Sequence, residues 1–398
     1  MEGAAGRVLH GTCGWSNESI KSCGRFYPKW VQNSEDRLQV YSKSFACVEV
    51  DSSCYAIPKP ASTAKWAAKT PDGFLFHFKA FGLFTHQGTA LNTLPWDARA
   101  LLPPHLPPSH HVRLSDLGEA GEKLVWDRFH DALAPVEDAG RLGCVIFQFQ
   151  LSFAPSDPNR RYVERCRRML APRIAMAVEF RNRAWFTDPA SAAALVPWLS
   201  NLGISLVSAD ELCHETFQKD REQRGLPLGE QRRIMPIASL VTQPAFHYVR
   251  LHRRHGTSDR LVPAEEVQVW AGRLACALLP RLTGPLYFLW GTDWEDAPVV
   301  NARALDAALP PGLSFDWRGH VARLAAATRG SIAEMLGQAR RPAVGREAGA
   351  SVAAAAPGEA ATTRGSIAEM LGQAEAVAGA AAGASAAGVL VGAEGAPD

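Results

Sequence analysis

The sequence predicts an α/β fold: a closed (β/α)8 barrel of the TIM type followed by a disordered, alanine-rich C-terminal tail. Three observations carry this. Eight short apolar runs recur up to Thr292, longer segments of helical spacing separate them, and the polar residues of the runs gather at their C-terminal ends. Strand and helix alternating over roughly 320 residues suit such a barrel, which is typically about 250 residues before insertions. An open doubly wound sheet is the second reading. It more often carries a glycine-rich phosphate loop after its first strand, and no such loop follows Val8–Cys13.

In chain order the runs are Val8–Cys13, Cys47–Asp51, Phe74–Ala80, Cys144–Phe149, Ala175–Arg181, Ser205–Asp210, Phe246–His252 and Leu286–Thr292. The segments between them carry helix signals. Asp157-Pro158 and Asp188-Pro189 each set an N-cap acceptor before a proline at the first helical position. Pro263-Ala-Glu-Glu opens an apolar-periodic stretch to Leu279, with carboxylates where the helix dipole favours them. The segment 99–125, with LLPPHLPPSHH, reads as a loop insertion whose histidines 105, 110 and 111 lack a metal-ligand partner set. The stretch 159–173 holds six arginines. They read as a solvated outer helix face, with a nucleic-acid backbone as the alternative.

Side chains two apart on a strand share a face. Glu49 and Asp51 share one with Cys47, while His77 and Lys79 oppose Phe74, Phe76 and Phe78. Glu179 and Arg181 oppose Val178 and Phe180, and Arg250 and His252 oppose Val249 and Leu251. Gln148 and Asp210, near the ends of the fourth and sixth runs, are placed with the same polar set. Helices cover the outside of a barrel, so the apolar faces point outward and the polar ones into the mouth, where barrel enzymes carry their chemistry.

Aromatic residues set the domain boundary. All of Phe, Trp and Tyr lie at or before Trp317, and alanine makes up 21 of the 58 residues from Arg341 onward. Such a tail buries too little apolar surface to offset its ordering entropy. The folded domain is therefore placed at 6–325 and a disordered tail at 326–398. TRGSIAEMLGQA occurs in the tail at 328–339 and again at 363–374. Ile332, Met335 and Leu336, and in the second copy Ile367, Met370 and Leu371, have the spacing of one helical face, as a helix-in-groove protein ligand requires. A duplication without function is the plain alternative.

Basic and acidic residues nearly balance, 42 against 40, which excludes a strongly basic nucleic-acid coat and an acidic solvating protein. No apolar run reaches the roughly 18 residues of a membrane span. The N-terminus lacks an apolar core of signal-peptide length. The eight cysteines form no CxxC pair and several sit in apolar runs, as reduced buried thiols do. A cytoplasmic protein is expected, with the nucleus as the alternative.

GTCGW (11–15), VEVDSSCY (48–55), FHFKAF with TH at 85–86, VIFQ (145–148), VEFR with Trp185, SAD (208–210), YVRLH (248–252) and APVVNA (297–302) resemble the motifs of the domain of unknown function 72 family, the YecE-like proteins. The resemblance spans about residues 8–309 and uses nearly every expected strand. It implies a TIM-type barrel and supplies no established reaction. Asp51 replaces the family's usual asparagine, Gln150-Leu151 its proline pair, and Arg253 its glycine.

The polar set reads as a pocket. Glu49, Glu179, Asp210 and His252 are the candidate acid–base residues, with His77 and His86 as further proton shuttles. Trp15, Asp51, Tyr55, Lys79, His86, Gln148, Arg181, Trp185, Arg250 and Arg253 are the candidate substrate contacts. Arginines, including the loop Arg253-Arg254-His255, offer planar forks for a phosphate or carboxylate, and Trp15, Tyr55, Trp185 and Trp290 offer faces to a ring. The plain alternative is structural: Glu179 with Arg181, and Asp51 with Arg250, as ion pairs closing the barrel. Glu179, Asp210 and His252 are also oxygen and nitrogen donors suited to a divalent metal, but Arg181 and Arg250 beside them repel a cation, and no metal or other cofactor is assigned. The leading expectation is an enzyme acting on a small phosphorylated or otherwise anionic substrate. A nucleic-acid-binding or phosphodiester-processing barrel and a non-catalytic binding module are the rivals.

Overall fold

A computed structural model describes residues 3–104, 106, 107, 109–187, 189–211, 235–252, 261–291 and 294–339. Its barrel strands are β1 (Val8–Thr12), β2 (Cys47–Val50), β3 (Leu75–Lys79), β6 (Leu142–Phe149), β7 (Met176–Phe180), β8 (Ile204–Asp210), β9 (His247–His252) and β10 (Leu286–Gly291). The short strands β4 (Thr89–Ala90) and β5 (His111–Val112) pair antiparallel in the insertion that follows β3. The eight barrel strands are parallel and close in the order β1-β10-β9-β8-β7-β6-β3-β2. The expected barrel is thus the observed one, and each expected run contains or overlaps one of its strands.

Register fixes which side chains face inward. Glu49 aligns with His77, Lys79 with Ile146, Gln148 with Glu179, Ala177 with Ser205, and Arg250 with both Ala209 and Leu289. Aligned residues of parallel strands share a face, so these line the interior. The outward set, including Phe76, Phe78, Val178, Leu206, Val249 and Phe288, is buried under the surrounding helices. Both faces are therefore covered, as a parallel sheet requires.

The arginine-rich helix runs from Asp157 to Met169, capped by Ser156, whose side chain accepts from the Asn159 amide. Three of its arginines serve the fold. Arg160 lies over the rings of Trp185 and Trp198, Arg165 meets Glu122 at 2.7 Å, and Arg167 donates to the carbonyls of Leu170, Ala171 and Ile174. Just past the helix, Arg173 pairs with Glu137.

Met1–Ala339 forms one compact unit, and Arg340–Asp398 lies outside the described residues. The boundary expected at 325 is crossed by a helix, Trp317–Ala339, which takes in the backbone of the first twelve-residue copy. Loss of aromatics marks the end of the core, whereas alanine, leucine, glutamate and arginine continue a helix readily. The side chains of Ile332, Met335 and Leu336, and the whole second copy with Ile367, Met370 and Leu371, lie outside the described residues. Among those residues no helix is long and apolar enough to cross a membrane.

Candidate functional site

The interior narrows upward from a buried floor of Cys47, His77, Cys144, Tyr248 and Tyr287 to a charged layer built on Arg250. Arg250 points across the barrel from β9. Its Nη1 donates to Glu179 Oε2 at 2.6 Å and its Nη2 to Glu49 Oε1 at 2.9 Å. Tyr248 Oη donates to the other Glu49 oxygen at 2.9 Å, and Gln148 Nε2 to Glu179 Oε1 at 2.9 Å. Both glutamates are fully buried and every oxygen of the two is bonded. Such geometry is what lets buried ion pairs offset desolvation, which costs several kcal/mol per ion.

Toward solvent the chain of charges continues. Arg181 Nε donates to Glu179 Oε1 at 3.0 Å, and its Nη2 lies 2.7 Å from Glu211 Oε2. Glu211 in turn lies 3.7 Å from His252 Nε2. Separately, Lys79 Nζ pairs with Asp51 Oδ1 at 2.7 Å. Side-chain exposure is 0% at Glu179 but 19% at Arg181, 22% at Glu211 and 17% at His252, so the last three are the more open members of this chain of charges.

Burial opposes ionisation of Glu179, but Arg250 and Arg181 outweigh it and hold the carboxyl well below the usual range. Burial pushes the Glu211 carboxyl up against the opposing pull of Arg181. Burial, reinforced by Arg250, drives the His252 imidazole well below its ordinary value. The mouth thus sets a permanent carboxylate beneath a second carboxyl whose affinity for a proton burial raises, and an imidazole inclined to stay neutral.

The sequence-based site is corrected at several positions. Asp210 does not face the mouth. It aligns with Leu251 on the outer face and accepts a hydrogen bond from Trp270 Nε1 at 3.1 Å, in the helix Ala264–Arg273. Along β8 the inward residues are Ser205, Val207 and Ala209, so the next inward position is Glu211, one residue beyond the expected acid. Removing the Asp210 carboxylate by Asp210→Ala should cost about 1–3 kcal/mol, the penalty of an unpaired buried donor, and leave ligand binding at the mouth unchanged. Urea unfolding alongside ligand titration checks both halves.

Arg250 pairs with Glu49 and Glu179 rather than Asp51, whose partner is Lys79. Trp185 is 1% exposed, stacked on Phe180 at 4.2 Å in the outer layer, with its Nε1 donating to the Phe153 carbonyl. It offers no face to a ligand. Trp15 packs edge-on to Trp66 and donates to Ser34, and Trp290 stacks on His10 outside the barrel. His86, in the left-handed region at φ 62°, sets its ring against Tyr162 at 4.0 Å. Tyr55 is 64% exposed on the connection after β2. Arg253, with Arg254 and His255, lies outside the described residues.

Two further neighbours of the charged layer went unnoticed in the sequence, Tyr248 and Cys13, whose Sγ lies 3.7 Å from Arg250 Nη2. Tyr248 is two residues before Arg250, so strand alternation alone locates it. For a metal, the arrangement replaces Asp210 by Glu211: ligand atoms of Glu179, Glu211 and His252 lie within 4.8 Å of one another. The donor types fit a hard divalent ion. Arg181 already contacts both carboxylates, however, and neutralises the position a cation would take.

Residues 9–315 match the model of the family described as protein of unknown function DUF72. The chain is 30% identical over 183 residues to UPF0759 protein YunF of Bacillus subtilis, a stretch covering 46% of this chain and 53% of YunF. It is 39% identical over 61 residues to UPF0759 protein YecE of Escherichia coli, covering 15% of this chain and 22% of YecE. Among solved structures, a DUF72 family protein of Thermotoga maritima superposes with a TM-score of 0.54 at 23% identity, over 76% of this chain and 98% of that one. Another, of Enterococcus faecalis, gives 0.53 at 18% identity, over 76% and 96%. At these identities the superpositions speak for the fold alone. With the family's model matched from the first barrel strand to beyond the last, this chain belongs to the DUF72 family.

Proposed function

We propose that the chain is an enzyme that performs acid–base chemistry on a small anionic substrate at the barrel mouth. The observation that carries the reading is the Glu211–His252 pair. The two side chains sit 3.7 Å apart at the C-terminal ends of neighbouring strands, partly open to solvent, on a buried ionic platform that fixes Arg181 beside them. Two titratable groups pushed in opposite directions by one environment are how a single site supplies both an acid and a base near neutral pH. Glu211 is the acid and His252 the base. Glu179 is a fixed negative charge that orients Arg181, and Arg181 is the substrate contact. Arg250 and Glu49 are positioning residues, since the terminal nitrogens of Arg250 and both oxygens of Glu49 are engaged with one another, with Glu179 and with Tyr248.

A thermal-shift screen of small carboxylates and phosphates tests this, because a ligand at 100 times its dissociation constant stabilises by about 2.7 kcal/mol. Hits are then assayed for turnover. Glu211→Gln and His252→Asn should each lower turnover by about 10²–10⁴-fold, the usual contribution of general acid–base catalysis. Hits that bind without turning over would favour a binding module. Nucleic acid bound with an affinity that falls steeply with salt would favour the phosphodiester reading.

A further inference from the structure

We propose that Glu211 is an internal stand-in for a carboxylate of the substrate, seated on Arg181 until the substrate displaces it. The inference rests on the enzyme reading above and adds the substrate class. Among the described residues of the mouth three cations are available, and two are committed. Arg250 is 3% exposed and gives a terminal nitrogen to each of two buried glutamates. Lys79 is 9% exposed on its side chain and pairs with Asp51.

Arg181 is different. Its Nε is anchored on Glu179, which leaves the Nη2 edge toward the mouth, and among the described residues that edge meets only Glu211. The contact is close but poorly formed. At 2.7 Å the Glu211 oxygen is out of line for a hydrogen bond, and it has no other hydrogen-bond donor. Charge-assisted hydrogen bonds draw much of their strength from alignment, so this is the ion pair that a competing anion opens at least cost.

Charge decides the class of competitor. The described mouth holds Glu49, Asp51, Glu179 and Glu211 against Lys79, Arg181 and Arg250. Binding a carboxylate monoanion while the displaced Glu211 takes up a proton leaves that balance unchanged, and a planar carboxylate suits the guanidinium fork. A phosphate dianion would bring an additional negative charge beside Glu179. Once displaced, Glu211 loses the cation that opposes its protonation. Its affinity for a proton then rises further, so proton uptake from solvent accompanies carboxylate binding and delivers the acid next to the ligand; no covalent bond forms or breaks.

Titration calorimetry of the full chain at pH 6 with acetate and with sulfate, a dianion at that pH, tests the exchange. Glu211→Gln should bind acetate about fivefold tighter than the wild type, because its internal competitor is neutral, and Arg181→Met at least about tenfold weaker. Arg181→Lys, which keeps the charge, guards against a folding defect and should fall between. Buffers of different ionisation enthalpy should report proton uptake with acetate in the wild type and none in Glu211→Gln. Acetate binding unchanged or weakened by Glu211→Gln, or sulfate bound more tightly than acetate, overturns the proposal. These are binding measurements, so their failure is distinct from that of the enzyme reading, which turns on loss of turnover in Glu211→Gln and His252→Asn.

Discussion

Replacing Arg250 by methionine is expected to destabilise the barrel by about 3–5 kcal/mol, the cost of leaving a buried charge without its partner. The substitution strands Glu49 and Glu179, both 0% exposed, in the barrel interior. Gln148 and Arg181 still serve Glu179, and Tyr248 still serves Glu49, but the guanidinium that joined the two is gone. Arg181→Met, nearer the solvent edge, should cost about 1–2 kcal/mol, nearer the value of one hydrogen bond to a charged group. The two variants also separate by pH. In Arg250→Met the two glutamates lose the cation they share, so their pKa values rise and the deficit relative to wild type shrinks as pH falls through the carboxylate range. Urea unfolding at pH 7 and pH 4 measures this. Equal deficits for both variants at both pH values would show that Arg250 is not the keystone of the layer.

The same residue shows how far a sequence reads. Eight parallel strands were legible because a strand covered on both faces must be apolar along its length, with polar residues admitted only where the barrel opens. Glu49, Glu179, Arg181, Arg250 and His252 were all found by counting in twos from apolar neighbours, and all face the interior or its mouth. Their partners were not legible. Glu49 on β2 meets Arg250 on β9 across the barrel, not along a neighbouring strand, and closure of the ring decides that pairing. Sequence spacing carries no information about it.

Asp210 and Trp185 were misplaced for simpler reasons. Asp210 was assigned by its position at the end of a run instead of by its parity with Leu206 and Ser208, and a shift of one residue moves a side chain to the other face of a sheet. Counting from Ser205 and Val207 finds Glu211 directly. Trp185 follows β7 closely enough to read as part of the mouth. The short helix Arg183–Phe186 instead turns its indole back onto Phe180 and Trp198. An aromatic beside a polar motif finds the largest apolar surface within reach, and here that surface is the helix layer outside the barrel.

Between pH 6.5 and about 4.5 the barrel should lose stability through its buried imidazoles. His77 lies on the floor beneath the charged layer, its ring 4.3 Å from that of Tyr287 and 5.1 Å from that of Tyr248. Its Nδ1 is 3.3 Å from Cys144 Sγ, and its Nε2 has no hydrogen bond. There is no room for more: a Cβ on Gly143 would come within 2.4 Å of Nδ1. The nearest carboxylate in that direction, Glu49, is already held by Tyr248 and Arg250. Burial therefore pulls the imidazole down to about 3, and burial pulls His247 on the outer face down to about 4. In the unfolded chain both titrate near 6.5. Below that value the unfolded state binds more protons, so each histidine contributes stability that is full above pH 6.5 and is lost as pH falls toward its folded value. Glu179, depressed in the fold, adds to the loss only below about 4.5, where the unfolded carboxylate begins to protonate. At about 1.4 kcal/mol per pH unit, His77 alone should account for about 2 kcal/mol of the loss between pH 7 and pH 5. His77→Phe keeps a ring between the two tyrosines and removes the proton site, and every other titrating group is common to both proteins. Urea unfolding at the two pH values should therefore show a loss smaller by about 2 kcal/mol in His77→Phe than in the wild type. Identical losses would assign the proton uptake to some other group and leave the floor of the barrel indifferent to pH.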